Sequence, residues 1–180
     1  EPSPFEKIDA KRIPVKLKPP ESAPAETLVQ LGLRDGRWDT IAVRPDGKLI
    51  VVSDPSGSIM TWSVPGFQSL GRVLHKEAVV LTFSADSKFL AAGDAKGNLK
   101  MWVYNGNAMV AIDSKAAPHK GGPLWAIAFA PDGKMLATAG TDRAIKVWDI
   151  QLGKLTLRAT IEAHEKVIRQ LAFSPDGSVL

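Results

Sequence analysis

A short phrase returns four times along this chain of 180 residues, and no other feature restricts its fold as much. It reads Val43-Arg-Pro-Asp-Gly47, Phe83-Ser-Ala-Asp-Ser87, Phe129-Ala-Pro-Asp-Gly133 and Phe173-Ser-Pro-Asp-Gly177, with its aspartates 40, 46 and 44 residues apart. A second phrase follows the first three copies: Ser58-Ile-Met-Thr-Trp62, Asn98-Leu-Lys-Met-Trp102 and Ala144-Ile-Lys-Val-Trp148. Each of these tryptophans comes 16 residues after its aspartate. Self-similarity at a fixed period marks an array of supersecondary units, each too small to bury its own apolar surface.

The third unit shows what one copy folds into. Trp125 to Ala130 is apolar-rich, and Pro131-Asp-Gly133 supplies turn chemistry, proline fixing φ and glycine accepting positive φ. Lys134 to Gly140 reads as a second strand, Thr141-Asp-Arg143 as a second turn and Ala144 to Asp149 as a third strand. Gln151-Leu-Gly153 turns again before Lys154 to Ile161. Four short strands joined by tight turns predict an antiparallel meander, and the period of 3.6 expected of a helix is absent from these units. Such a sheet is apolar on both faces. Stacking neighbouring sheets around an axis covers both, so the chain is expected to be all-β, a β-propeller of four-stranded blades.

These residues also carry a family resemblance. Phe129-Ala-Pro-Asp-Gly133, Leu136-Ala-Thr-Ala-Gly-Thr-Asp142 and Ile145-Lys-Val-Trp-Asp149 together resemble a repeat of the WD-repeat β-propeller family. The resemblance covers roughly residues 25 to 180 and is weaker in the first two units, where Ser63 and Val103 follow the tryptophan in place of aspartate. Family rings commonly hold about seven blades, within a range of about 4–8. The resemblance therefore implies about three and a half blades of an incomplete ring, at about 38–74, 78–113, 123–161 and, partial, 167–180. Aligning the first unit on the fourth makes residues 25–33 a leading outer strand, which in the family completes a blade begun at the C-terminus. The chain begins at Glu1 and stops at Leu180 within an expected strand, and is read as a piece of something longer.

Residues 1–24 differ in texture. Glu1-Pro-Ser-Pro4 and Pro19-Pro-Glu-Ser-Ala-Pro24 read as linker, with one or two helical turns expected over Phe5 to Lys11. The cluster Lys11, Arg12, Lys16 and Lys18 is diluted by acidic neighbours, and the net charge of +4 is spread along the chain. No basic stripe exists, so nucleic acid is not the expected partner. No apolar run reaches the ~18 residues of a membrane-spanning helix. With no cysteine, the sequence has neither disulfides nor thiolate metal sites, and the redox compartment stays open.

Candidate chemistry is sparse. His75, His119 and His164 recur at intervals of 44 and 45, so they occupy one position in successive blades and diverge where a zinc site would need convergence. Asp46, Asp86, Asp132 and Asp176 sit in turns that aspartate favours by bonding its own backbone. No nucleophile elbow, Walker loop, H-E-x-x-H or dinucleotide fingerprint is present, so neither an enzyme nor a cofactor or metal site is expected here. The family resemblance instead implies a structural hydrogen-bond chain in the third unit, linking His119, Thr138, Asp142 and Trp148. At the matching positions the other units have Val52 and Ala92 for Thr138, and Ser56 and Lys96 for Asp142, while Arg34 replaces the first histidine. Those blades are expected to rely on apolar packing.

A binding surface remains. In the first strands the apolar period of two breaks: Ile127 lies two before Phe129, but Leu124 lies five before it. An extra residue, as in a β-bulge, is implied. It turns the residue four before the phenylalanine toward one rim, which selects Asp39, Val79, Trp125 and Arg169. In similar propellers this rim grips partners, and Trp and Arg are enriched at interface hot spots. Trp125 packing into the next blade is the competing reading, and Trp38 falls on a core position. The expected function is a non-enzymatic scaffold presenting Asp39, Trp125 and Arg169 to a protein or peptide. The alternative is a sensory or docking domain of a larger protein whose enzymatic part, such as a kinase, protease or cytochrome, lies outside the chain.

Overall fold

The computed structural model describes residues 40–180 apart from 54–57, 67, 76, 116–117 and 163. The linker-like 1–24, the leading strand expected at 25–33, Arg34, Trp38, Asp39 and Ser56 lie outside the described residues. Twelve strands follow in chain order. The first sheet holds β1 (Thr40–Val43), β2 (Leu49–Ser53), β3 (Ser58–Ser63) and β4 (Ser69–Leu74). The second holds β5 (Ala78–Phe83), β6 (Phe89–Asp94), β7 (Leu99–Tyr104) and β8 (Met109–Lys115). The third holds β9 (Leu124–Phe129), β10 (Met135–Gly140), β11 (Ala144–Gln151) and β12 (Lys154–Glu162). Each is an antiparallel meander in sequence order. The described residues include no helix, and thus none long and apolar enough to cross a membrane. The result is three blades of an all-β propeller in an unclosed ring.

The recurring aspartate phrase builds the turn between the first two strands of each blade. Gly47, Ser87, Gly133 and Gly177 donate their amide to the carbonyl three residues back at 2.8–2.9 Å. The aspartate carboxylate then accepts the amide two residues on, from Lys48, Lys88, Lys134 and Ser178, at 2.9–3.1 Å. This geometry needs a positive φ at the residue after the aspartate, which glycine adopts without steric cost. Gly47, Gly133 and Gly177 have φ of 68–72°, and Ser87 is held at 63° in the same place. The turns also touch from blade to blade. The Asp46 amide donates to Ser87 Oγ at 3.2 Å. The fourth unit forms this turn, with Ser174 N bonded to Val179 O at 2.8 Å, but within 164–180 the described residues pair in no strand ladder.

Apolar clusters fill the spaces between sheets. Val51, Ile59, Ala78, Leu81, Leu90, Ala92 and Trp102 form one between the first and second blades. Ala91, Leu99, Met101, Leu124, Leu136 and Trp148 belong to the next, between the second and third. Consecutive Ala91 and Ala92 thus serve opposite faces, as the two-residue strand period requires. Ile168 packs with Ala126, Ala139 and Ile145, so the fourth unit covers the third blade although it lacks a sheet of its own. The three tryptophans of the second phrase occupy one setting: Trp62 pairs with Ile50, Trp102 with Leu90 and Trp148 with Leu136. They are 9%, 1% and 4% exposed.

Register shifts fall at repeated places. In β9 the pairing moves from Ala126–Ala139 to Leu124–Gly140, leaving Trp125 as the extra residue. In β5 it moves from Val80–Gly93 to Ala78–Asp94, leaving Val79. The broken apolar alternation predicts both bulges. A second set lies opposite the tryptophans, where Leu70, Ile112 and Arg158 are the extra residues in β4, β8 and β12.

Candidate functional site

In the third blade four polar side chains meet in a buried line. His119 stands in the loop before β9, Thr138 on β10, Asp142 in the β10–β11 turn and Trp148 on β11. His119 Nδ1 is 2.8 Å from Asp142 Oδ1, and His119 Nε2 is 2.8 Å from Thr138 Oγ1. A carboxylate only accepts, so Nδ1 carries the proton, Nε2 accepts from the Thr138 hydroxyl, and the indole of Trp148 donates to the same oxygen at 2.9 Å. His119 and Thr138 are fully buried. Burial pushes the histidine below its ordinary value of 6.5, against the upward pull of Asp142, which agrees with a neutral ring.

The second blade has the frame without the hydroxyl. Ala92 pairs with Lys100 as Thr138 pairs with Lys146, so alanine stands at the threonine position. His75, 8% exposed, meets Trp102 edge to face at 5.7 Å between ring centres, and its Nε2 has no hydrogen-bond partner among the described residues. Burial is also the main influence holding this histidine below its ordinary value, opposed by Asp94. The β6–β7 turn is closed differently here. Asp94 accepts the amides of Lys96 and Asn98 at 2.9 and 2.8 Å and the Asn98 side chain at 2.7 Å. Sequence reading missed Asp94, because it lies outside the positions that the family pattern singles out.

The blade end opposite the aspartate turns holds the other group. Trp125, displaced by the β9 bulge, is half-buried, and the guanidinium carbon of Arg169 lies over its ring at 5.4 Å from the centroid. These two residues are equivalent positions of neighbouring units, brought into contact across a blade boundary. Arg169 is exposed, and Val79 is half-buried at the matching place on β5. Asp39 lies outside the described residues. Nearby, Arg143 Nη1 reaches the Glu165 carbonyl at 3.5 Å, and Lys96 lies 3.9 Å from Glu77.

Among the described residues no three His, Asp or Glu side chains gather as metal ligands. The imidazole of His119 is enclosed and committed at both nitrogens, so it has no open position toward a substrate. The geometry supports packing and surface recognition.

A family model described as "WD domain, G-beta repeat" (WD40) matches residues 70–103, 115–149 and 155–180. Relatives include the polyadenylation factor subunit 2 of Candida albicans, 28% identical over 118 residues, which are 64% of this chain and 21% of that protein. WD repeat and SOCS box-containing protein 1 of Homo sapiens is 31% identical over 120 residues, 66% of this chain and 27% of that one. Among solved structures, the RRP9 WD40 repeats superpose with a TM-score of 0.66 at 20% identity, over 75% of this chain and 41% of that chain. The U3-55K structure gives 0.65 at 20%, over 75% and 42%. The structural likeness shows the fold, and this chain spans less than half the length of each of these proteins. With the repeat matched over more than half of its residues and three equivalent meander sheets stacked in series, the chain belongs to the WD-repeat family.

Proposed function

We propose that this chain is a non-enzymatic interaction module whose rim opposite the aspartate turns grips a protein or peptide, with Asp39, Trp125 and Arg169 as its contact residues. WD-repeat propellers are generally protein-interaction scaffolds and typically lack catalysis of their own. The observation that carries the reading is Trp125. A bulge lifts it out of the β9 ladder, and it stays half-buried beside an exposed arginine while Trp62, Trp102 and Trp148 are enclosed. A large rigid aromatic next to a guanidinium is the composition of interface hot spots. The buried line from Asp142 to Trp148 has a supporting part in this reading: it satisfies polar groups inside the third blade and holds β9 to β11 as a firm base for the rim.

Panning a displayed peptide library against the full chain tests the proposal. Peptides selected on the wild type should lose binding to Trp125→Ala and keep it on Leu157→Ala, a change on the outer strand. The melting midpoint of Trp125→Ala should stay close to wild type. Selected peptides that bind Trp125→Ala unimpaired, or a large loss of stability in that variant, would return the residue to the core.

A further inference from the structure

We propose that Arg169, stacked on Trp125, is an oxyanion fork for a carboxylate side chain, so that the peptide segment taken by this rim is acidic. The inference rests on the rim reading above and goes further by naming the chemistry of the partner. The argument starts from what surrounds the guanidinium. Arg169 is exposed, and its contact among the described residues is the indole beneath it at 5.4 Å. Three acidic groups at this end have local partners. Asp142 is bonded to His119 at 2.8 Å, Glu77 sits 3.9 Å from Lys96, and Asp94 accepts from Asn98. Elsewhere in the chain the arginines Arg44 and Arg158 pair with Asp46 and Asp149. Arg169 forms no ion pair within 4.0 Å among the described residues.

Stacking explains why such an arrangement suits recognition. An arginine side chain is ordinarily mobile and well hydrated, and ordering it on binding is unfavourable. Placement over an aromatic face restricts the rotamers and strips water from one side, while the N–H donors of the fork remain available for a planar two-oxygen acceptor. A carboxylate matches that spacing with two parallel charge-assisted hydrogen bonds. Of the acidic groups at this end, Asp142 is engaged by His119, while the exposed Lys166 and Arg143, whose guanidinium reaches the Glu165 carbonyl, add positive charge beside Arg169, which favours an acidic segment over a basic one. The fork and the ring also come from different units, so the site exists only where the fourth unit has docked on the third through Ile168.

The test uses an alternating Glu-Gly octapeptide with blocked ends and its Gln-Gly counterpart, titrated against the full chain at low and moderate salt. The acidic peptide should bind about tenfold more tightly than the neutral one, the factor that charge-assisted hydrogen bonds contribute. Arg169→Gln should erase that difference, and Arg169→Lys should restore only part of it because an ammonium lacks the fork. Equal binding of the two peptides, absence of measurable binding at millimolar peptide, or undiminished acidic-peptide binding by Arg169→Gln overturns the proposal. Library peptides that depend on Trp125 but are neutral and indifferent to Arg169→Gln would refute the carboxylate and leave the rim standing. Peptides indifferent to both residues would refute both.

Discussion

Replacing Thr138 by valine should expose how much the buried line in the third blade contributes. The two side chains have nearly the same shape, so the change opens no cavity and removes one hydroxyl. That hydroxyl donates to His119 Nε2 at 2.8 Å and accepts from Trp148 Nε1 at 2.9 Å. Both partners are enclosed, His119 at 0% and Trp148 at 4% exposure, so water cannot replace what is lost. A buried polar group left without a partner costs about 1–3 kcal/mol. Two such groups give an expected loss of about 2–5 kcal/mol for Thr138→Val, allowing for coupling within one line. Denaturant unfolding of the variant measures the loss, and hydrogen exchange at the Trp148 indole N–H locates it in the third blade. The second blade offers the reverse experiment. Ala92→Thr would place a hydroxyl beside His75 Nε2, which lacks a partner among the described residues, and should stabilise by about 1 kcal/mol, whereas Ala92→Val adds the bulk alone. Val52, buried at the equivalent position of the first blade, shows that a β-branched side chain fits this part of the sheet. A Thr138→Val loss below about 0.5 kcal/mol, the range of an unremarkable surface change, would refute the reasoning. So would equal gains from threonine and valine at position 92.

Three further outcomes follow from particular residues. Gly97 has φ of +81°, and a Cβ there would lie 2.0 Å from the His119 carbonyl oxygen, so Gly97→Ala should cost more than about 2 kcal/mol by denaturant unfolding; a neutral result would mean that the second and third blades are not in close approach there. Ser87→Gly should raise stability by about 0.5–1 kcal/mol by relieving a left-handed backbone, less the exposed hydrogen bond from Asp46, while Ser87→Val should lower the melting midpoint. Acidification should weaken the fold before the carboxylates titrate. His75 and His119 both lie below the ordinary 6.5 in the folded chain, mainly through burial, so the unfolded chain binds more protons as pH falls through that value. Their contribution is complete above 6.5 and is lost from there down toward the folded-state values. His119→Gln should flatten that part of the stability–pH curve, and an unchanged slope would contradict the neutral, enclosed ring.

Much of the architecture can be read from residue order because each turn carries its own chemistry. Pro131, Asp132 and Gly133 mark one end of β10, and Trp148 sets the register of β11 against Leu136. Even the β9 bulge is legible, since Leu124 and Ile127 are three apart where alternation requires an even spacing. The line from His119 to Trp148 is a different case. Its members follow from likeness to a family, and their separations of 19, 23 and 10 residues alone would not assemble them. Two features are beyond reach of the sequence, and a third shows only by comparing copies. The bulges at Leu70, Ile112 and Arg158 leave no mark in residue order: in β12 the alternation of Leu155, Leu157, Ala159 and Ile161 runs straight through the extra residue. The left-handed backbone of Ser87 is legible only through the repeat, since the other three copies carry glycine in its place. The stacking of Arg169 on Trp125 joins two units and depends on how sheets are set against each other.

The extra residues facing Trp62, Trp102 and Trp148 have a mechanical effect on the blades. Each works as an expansion joint between an inner three-stranded slab, fixed by the tryptophan, and an outer strip whose length varies from six residues in β4 to seven in β8 and nine in β12. Solvent-facing positions of the outer strip, such as Leu157 at 48% exposure, can therefore be decorated or fused, whereas Leu155 in the same strand is 3% exposed within the cluster between the second and third blades and has to stay.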